Sequence, residues 1–244
     1  FEKSVRLFIF DFGKTDEGRV ILDEIKKRMW PSLAVALPVF VVGLAVSIFV
    51  SLIVVMFRAS LFEFSVMVVC VAMFSISSMF YIIGGQFLFG KLWSLVPVSG
   101  FIADIGALKF LILPIIIGVI SGFGGGVRIY RIIFLEEANK DYIRTARAKG
   151  VSELAILFRH LFPNGLIPIL TGVVVVIPTL FLGSLVTESF FGIPGLGSFT
   201  IDGIRSQDFS IVRSMVFLSS VLYILGLLLT DISYTIADPR VRLT

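Results

Sequence analysis

The chain has 244 residues, of which 57% are hydrophobic and 16% charged, and its formal net charge is +4. Soluble globular domains carry about 25% charged residues, and polar groups must cover a water-facing exterior, so apolar content on this scale excludes one ordinary soluble core and points to lipid as the solvent. The basic excess does not suggest nucleic acid, because Lys and Arg lie in loops beside long apolar runs, where anionic headgroups and orientation account for them.

Residues 1–30 hold thirteen charged residues with nearly balanced signs. Within them EGRVILDEIKKRMW places Val20 or Ile21, Ile25 and Met29 about four apart, with acids early and Lys26, Lys27 and Arg28 late, as a helix dipole favours. The pattern predicts a short amphipathic helix lying at the interface and feeding the first span. The first residue is Phe rather than Met, so a segment upstream is expected.

Residues 29–57, 64–90, 110–127, 161–187 and 214–230 contain no Asp, Glu, Lys or Arg. Crossing the hydrocarbon takes roughly 20 apolar residues, which predicts an all-α integral membrane protein with five spans at about 31–57, 64–89, 107–127, 164–187 and 211–236. These runs are too long, and lie too far along the chain, to be a cleaved signal peptide. Cys70 lies inside the second run as the only cysteine, and reads as packing. With His160 the only histidine, no His/Cys metal cluster is available.

The connections are unequal. Residues 58–63 read as a tight turn and 91–109 as a longer loop with Pro97 and Gly100. GQFLFGKL, Gly85 to Leu92, has phosphate-loop spacing, but Leu92 stands where a hydroxyl must hold magnesium. GFGGGV, Gly122 to Val127, puts Val127 at the last glycine of a dinucleotide fingerprint, and small residues there suit close helix packing instead. Neither GxSxG nor HExxH occurs, so the chain shows no catalytic apparatus and no enzyme is expected.

A polar, basic stretch at 128–163 separates the third and fourth runs. Leu135 to Lys149 are good helix formers, Gly150 suits a left-handed cap, and Ser152 with Glu153 suits a new helix start. Pro163 and Asn164-Gly165 are expected to break that second helix. The prediction is two short helices at a glycine corner outside the membrane. Ala138, Tyr142, Thr145, Ala146 and Ala148 offer small or flat contacts, with Arg144, Arg147 and Lys149 interleaved. Such a rod can lie in a partner's groove. The alternative is a solvated loop whose charges only set topology.

Residues 188–213 form a glycine- and proline-rich re-entry, and the chain ends in DPRVRLT. Alternating five spans gives ten Lys and Arg on the side of the 128–163 loop against eleven on the other. With residues 1–30 set aside as an external segment the balance is ten against four, placing that loop in the cytoplasm.

On these residues the sequence resembles the permeases of ATP-binding-cassette importers, whose cytoplasmic loop carries EAA, three residues, Gly, nine residues, then I-x-L-P. Aligned on Gly150, Arg144, Thr145 and Ala146 fall at EAA, and His160, Phe162 and Pro163 at I, L and P; only Ala146, Gly150 and Pro163 match strictly. DYIRTARAKGVSE is closer to the peptide-importer branch, where DYxRTARAKGxSE is typical. ESFFGIPGLG, with Glu188, Phe191, Pro194, Gly195, Leu196 and Gly197, resembles that branch's segment dipping back before the last span. Asp202 and Asp208 fall where the family has acids, Ser210 replaces a common proline, and SYTIADPRVR resembles the end of the first of two permeases in dipeptide and oligopeptide systems. Residues 1–109 agree only in span pattern.

The resemblance implies a MetI-like permease fold in a bacterial or archaeal cytoplasmic membrane, with six spans in the full subunit. Residues 1–29 become an extracytoplasmic segment after a missing first span, and 30–244 the permease domain. Expected partners are a second homologous permease, two cytoplasmic ATPases that bind ATP and Mg, and an external solute-binding protein. No cofactor is expected in this chain. Tyr142, Arg144, Thr145, Ala146, Arg147, Ala148, Lys149, Gly150 and Glu153 become the ATPase-coupling residues, and Glu188, Pro194, Gly195 and Gly197 the outer gate. Ser75, Ser77, Ser78, Gln86, Thr171 and Ser184 line a passage or bond between helices, and Glu188, Arg213 and Asp231 mark span edges. The rival reading, an ion-gradient-driven transporter or channel, calls for ionisable groups inside the spans, which the sequence lacks.

Overall fold

A computed structural model describes residues 6–101 and 107–237. The terminal DPR block lies outside the described residues. Those described are almost wholly helical, with a single isolated bridge, Lys14 to Val20.

Helix α1, Ile21–Met56, has 36 residues, about 54 Å at the usual rise and well over the roughly 30 Å of a hydrocarbon core. Its first turns pack on protein: Ile21 and Ile25 are buried against Leu7, Phe12, Leu196, Phe199, Ile211 and Met215. The apolar stripe that the sequence assigns to lipid is taken up by protein.

Helix α2, Leu61–Ser75, starts with a cap in which Ser60 Oγ accepts the Glu63 N–H and Glu63 Oε2 accepts the Ala59 N–H. It is followed after an 88° bend by α3, Ser78–Gly85, which widens into a π-helix over Gln86–Leu92. The run at 64–89 is thus a bent pair. Ser75 Oγ accepts no part in the turn ahead; it donates back to the Val71 carbonyl, and Ile76 is extended. Tyr81 Oη donates to the Met73 carbonyl across the bend.

Helix α4, Ala107–Ala138, runs through Arg128 and Arg131 without interruption. A Cβ on Gly124 would stand 2.3 Å from the Cys70 carbonyl oxygen, so backbone meets backbone between α4 and α2. Arg131 Nε donates to Glu63 Oε1 at 2.8 Å and Arg58 to Asn139 Oδ1 at 3.2 Å, fixing the 58–63 turn to the inner end of α4.

Three short elements follow. They are α5, Asp141–Ala148; α6, Glu153–Ile156, passing into a π-turn Leu157–Leu161; and α7, Phe162–Val176, ending in a 3₁₀ turn Pro178–Leu182. Pro163 does not break this run. The Phe162 N–H reaches back to the Leu157 carbonyl, so the widened turn absorbs the amide that proline lacks. Two further short helices are α8, Leu185–Phe191, and α9, Leu196–Arg205; α10, Phe209–Ala237, closes the described chain.

Among the described residues four helices are long and apolar enough to cross a membrane, or five with the bent pair counted as one. Large apolar side chains such as Phe49, Phe64, Val68, Phe74 and Leu228 are exposed along them. Water would oppose that surface; lipid does not.

Candidate coupling corner and outer gate

At its C-terminal end, α4 stops at Ala138. The Asn139 and Lys140 N–H groups close tight turns onto the Glu136 and Glu137 carbonyls, and Lys140 is extended before α5 begins. The continuous helix expected over Leu135–Lys149 is therefore two helices. The kink lets the Tyr142 hydroxyl donate to buried Glu137, which Lys140 Nζ also meets at 2.7 Å. Burial pushes the Tyr142 phenol up, and its hydrogen bond to Glu137 pushes it further, so it stays a donor.

The corner after α5 is a Schellman motif. The Gly150 N–H bonds the Arg147 carbonyl at 2.9 Å and the Val151 N–H the Ala146 carbonyl at 3.2 Å, with Gly150 at φ +78°. A Cβ there would meet nothing within 4 Å, so backbone handedness, not crowding, selects glycine. Ser152 Oγ accepts the Ala155 N–H and caps α6. Arg147 clamps Glu153 with two bonds of 2.7 and 3.0 Å across the corner, which holds the guanidinium above its ordinary range.

Burial divides the residues of this corner. Ile143 and Ala146 pack with Ile156 and Val151, and Arg147 is half-buried. Asp141, Tyr142, Arg144, Thr145, Ala148, Lys149, Gly150 and Glu153 are exposed. The exposed face of α5 carries small side chains and cations.

At the outer end, Ser184 Oγ accepts the Thr187 N–H at the start of α8, which stops at left-handed Gly192. Gly195 is the N-cap of α9. Its helix end is satisfied from a distance: Ser32 Oγ, on α1, accepts the Leu196 N–H at 2.8 Å, and Glu188 Oε2 accepts the Ser198 N–H at 3.1 Å. Glu188 is 1% exposed. A Cβ on Gly195 would stand 2.2 Å from its Oε2, and one on Gly197 2.7 Å from the Ser184 carbonyl. These two glycines let the chain close around the carboxylate. Pro194 shares an outer cavity of about 630 Å³ with Arg28, Trp30 and Pro31.

Asp208 caps α10, its Oδ1 accepting the Ser210 and Ile211 N–H groups, while Oδ2 accepts the Asp16 N–H at 2.8 Å. The Ser210 bond is one that proline could not make. Of the polar span residues, Gln86 donates to the Val98 and Phe190 carbonyls, and Thr171 to Ile167 and Pro168. Ser78 and Ser184 line a cavity between α1 and α4. Sequence reasoning did not single out Ser32, Glu63 or Glu137, whose partners lie on other elements or across a kink.

A polytopic helical membrane protein with a cornered pair of short helices, α5 and α6, and a second pair, α8 and α9, closed around a buried carboxylate is the class these features define. The chain belongs to the family described as binding-protein-dependent transport system inner membrane component, whose model matches residues 27–243. It is thus a multi-pass permease component of the cytoplasmic membrane in ATP-binding-cassette importers, and not itself an enzyme. It is 34% identical over 241 residues to a Brucella abortus protein provisionally named a peptide transport system permease, covering 97% of this chain and 77% of that one. The dipeptide transport system permease DppB of Escherichia coli is 28% identical over 261 aligned positions, covering 95% of this chain and 77% of its own. The oligopeptide transport system permease AppB of Bacillus subtilis is 40% identical over 135 residues, 55% of this chain and 43% of that protein.

Proposed function

We propose that this chain forms half of the translocation pathway for peptides or related small solutes, paired with a second homologous permease. Two cytoplasmic ATPases seat the 141–151 region in their clefts, and an external solute-binding protein delivers the cargo. ATP binding draws the paired rods together and tips the spans from inward-facing to outward-facing; hydrolysis resets them. The names of the relatives support the cargo class.

The observation that carries the reading is the corner itself. A rod of eight residues is fixed to the spans through Tyr142–Glu137, the Gly150 turn and Arg147–Glu153, yet leaves Arg144, Thr145, Ala148 and Lys149 exposed. Push applied to that face reaches α4 and α6 without being absorbed by a soft loop. In the same reading, residues 6–20 and the α8–α9 segment lie outside the cell, where α9, Ser32 and Glu188 hold the outer gate shut.

The test is uptake of a labelled dipeptide into proteoliposomes carrying the whole chain with its second permease and binding protein. ATP-dependent uptake that requires the ATPases supports the reading. Uptake driven by an ion gradient, with ATPases absent, contradicts it.

A further inference from the structure

Beneath the outer gate, between α1 and α4, lies a cavity of about 490 Å³, a size usual for small-molecule sites. Ser32, Ser78, Ser121, Thr179 and Thr187 place hydroxyls on its wall, and among the described residues Glu188 is its only ionisable lining residue. A second cavity, of about 170 Å³, shares Val39, Phe40 and Gly118 with it and continues past Ser47 to Tyr130. Together they follow α1 from Ser32 to Ser47, roughly 22 Å at the helical rise, so a groove runs inward along the span from Glu188.

Glu188 is nine-tenths buried and more, and its Oε1 has no hydrogen-bond partner among the described residues. That oxygen rests over Gly183, another wall residue, where a Cβ would come within 1.8 Å. The α9 helix end satisfies Oε2, whereas Oε1 completes no hydrogen bond although Ser32, Ser184 and Gly197 lie close to the carboxylate. Among the described residues no Lys, Arg or His lines either cavity. A buried acid with one oxygen unmet is compensated by a cation, and the hydroxyls supply the remaining acceptors an ammonium needs.

We propose that the α1–α4 groove is this subunit's wall of the solute path, and that Glu188 at its outer end receives a primary ammonium group of the solute. This rests on the permease reading and adds to it a residue and a charge. Glu188 then does two things at once: it closes the gate through Ser198 and selects a positive end through its second oxygen.

The test uses the assembled, detergent-solubilised transporter with Ser121→Cys in a Cys70→Ala background. Labelling of that thiol by a trimethylammonium methanethiosulfonate is compared with labelling by a sulfonate one, each scaled to a free thiol. The cationic reagent should be favoured roughly tenfold, a normal focusing effect of a charge in a cleft. In Glu188→Gln, which keeps an oxygen for Ser198, the preference should vanish. With Glu188 in place, glycylglycinamide should slow labelling and its N-acetyl form should not, a comparison that decides the matter alone if the Gln variant does not assemble. Absence of cation preference, equal protection by both amides, or no labelling because a neighbouring helix covers the groove would each overturn the proposal. ATP-dependent uptake by the Cys70→Ala parent, with Ser121 intact, reads the permease function separately, so the two can fail independently.

Discussion

Gly150 is the position where one side chain should matter most. Its φ of +78° costs an L-residue about 1–2 kcal/mol, and β-branching adds to that. Gly150→Val should therefore insert and assemble, keep ATP turnover and lose most uptake, whereas Gly150→Ala should lose less; equal uptake in all three chains would remove the corner from the mechanism. Tyr142→Phe leaves buried Glu137 short of a donor. The expected loss is about 1–3 kcal/mol of local stability, read as faster hydrogen exchange over α5 with little change in the outer half. The Arg147–Glu153 clamp is exposed at the carboxylate end, so breaking it should cost under about 1 kcal/mol. Its service is geometric.

Among the elements, the α8–α9 segment is held by α1 through Ser32 and closed around Glu188 by glycines. Ser32→Ala removes the acceptor for the Leu196 N–H and should cost about 0.5–2 kcal/mol, as lost caps do. Gly195→Ala should be worse, because its Cβ would fall 2.2 Å from the Glu188 carboxylate. Proteolysis of α9 from the outside reports both, and an unchanged digestion pattern in Gly195→Ala would contradict the packing described. The glycine corner at 150 and the Ser152 cap were legible because each signal is local, a residue type at its own turn. The break at Asn139 was not. Every residue from Leu135 to Lys149 tolerates a helix, and what favours the kink is Tyr142 finding Glu137 five residues back, a contact that a straight helix forbids. The continuity through Pro163 was hidden for a similar reason, since a widened turn leaves no mark in composition. At the 88° bend Ser75 donates back to its own helix, a role that sequence reads as easily as passage lining.

Across the whole molecule, apolar runs set the helices and charge balance sets their direction, but the joining of outer segment to gate depends on residues far apart. Leu7, Phe12 and Ile21 meet Leu196, Phe199 and Ile211, and Asp16 meets Asp208. Charge counts carried no trace of this, because they treat residues 1–30 as a solvated strand of loop. The orientation has a direct consequence: Thr145→Cys should take an impermeant thiol reagent only from the cytoplasmic side, and Ser206→Cys only from the outer side. Labelling of both from one side would invert or abolish the topology.

The central claim is that α5 receives its push from another polypeptide, and crosslinking tests it most directly. A photoactivatable residue at Thr145, which is exposed, is placed in the full chain and irradiated in the assembled transporter during turnover. The account predicts a covalent adduct with a cytoplasmic ATPase subunit, changing in yield as ATP binds. Transport that proceeds normally while position 145 captures only water, with or without nucleotide, would contradict it.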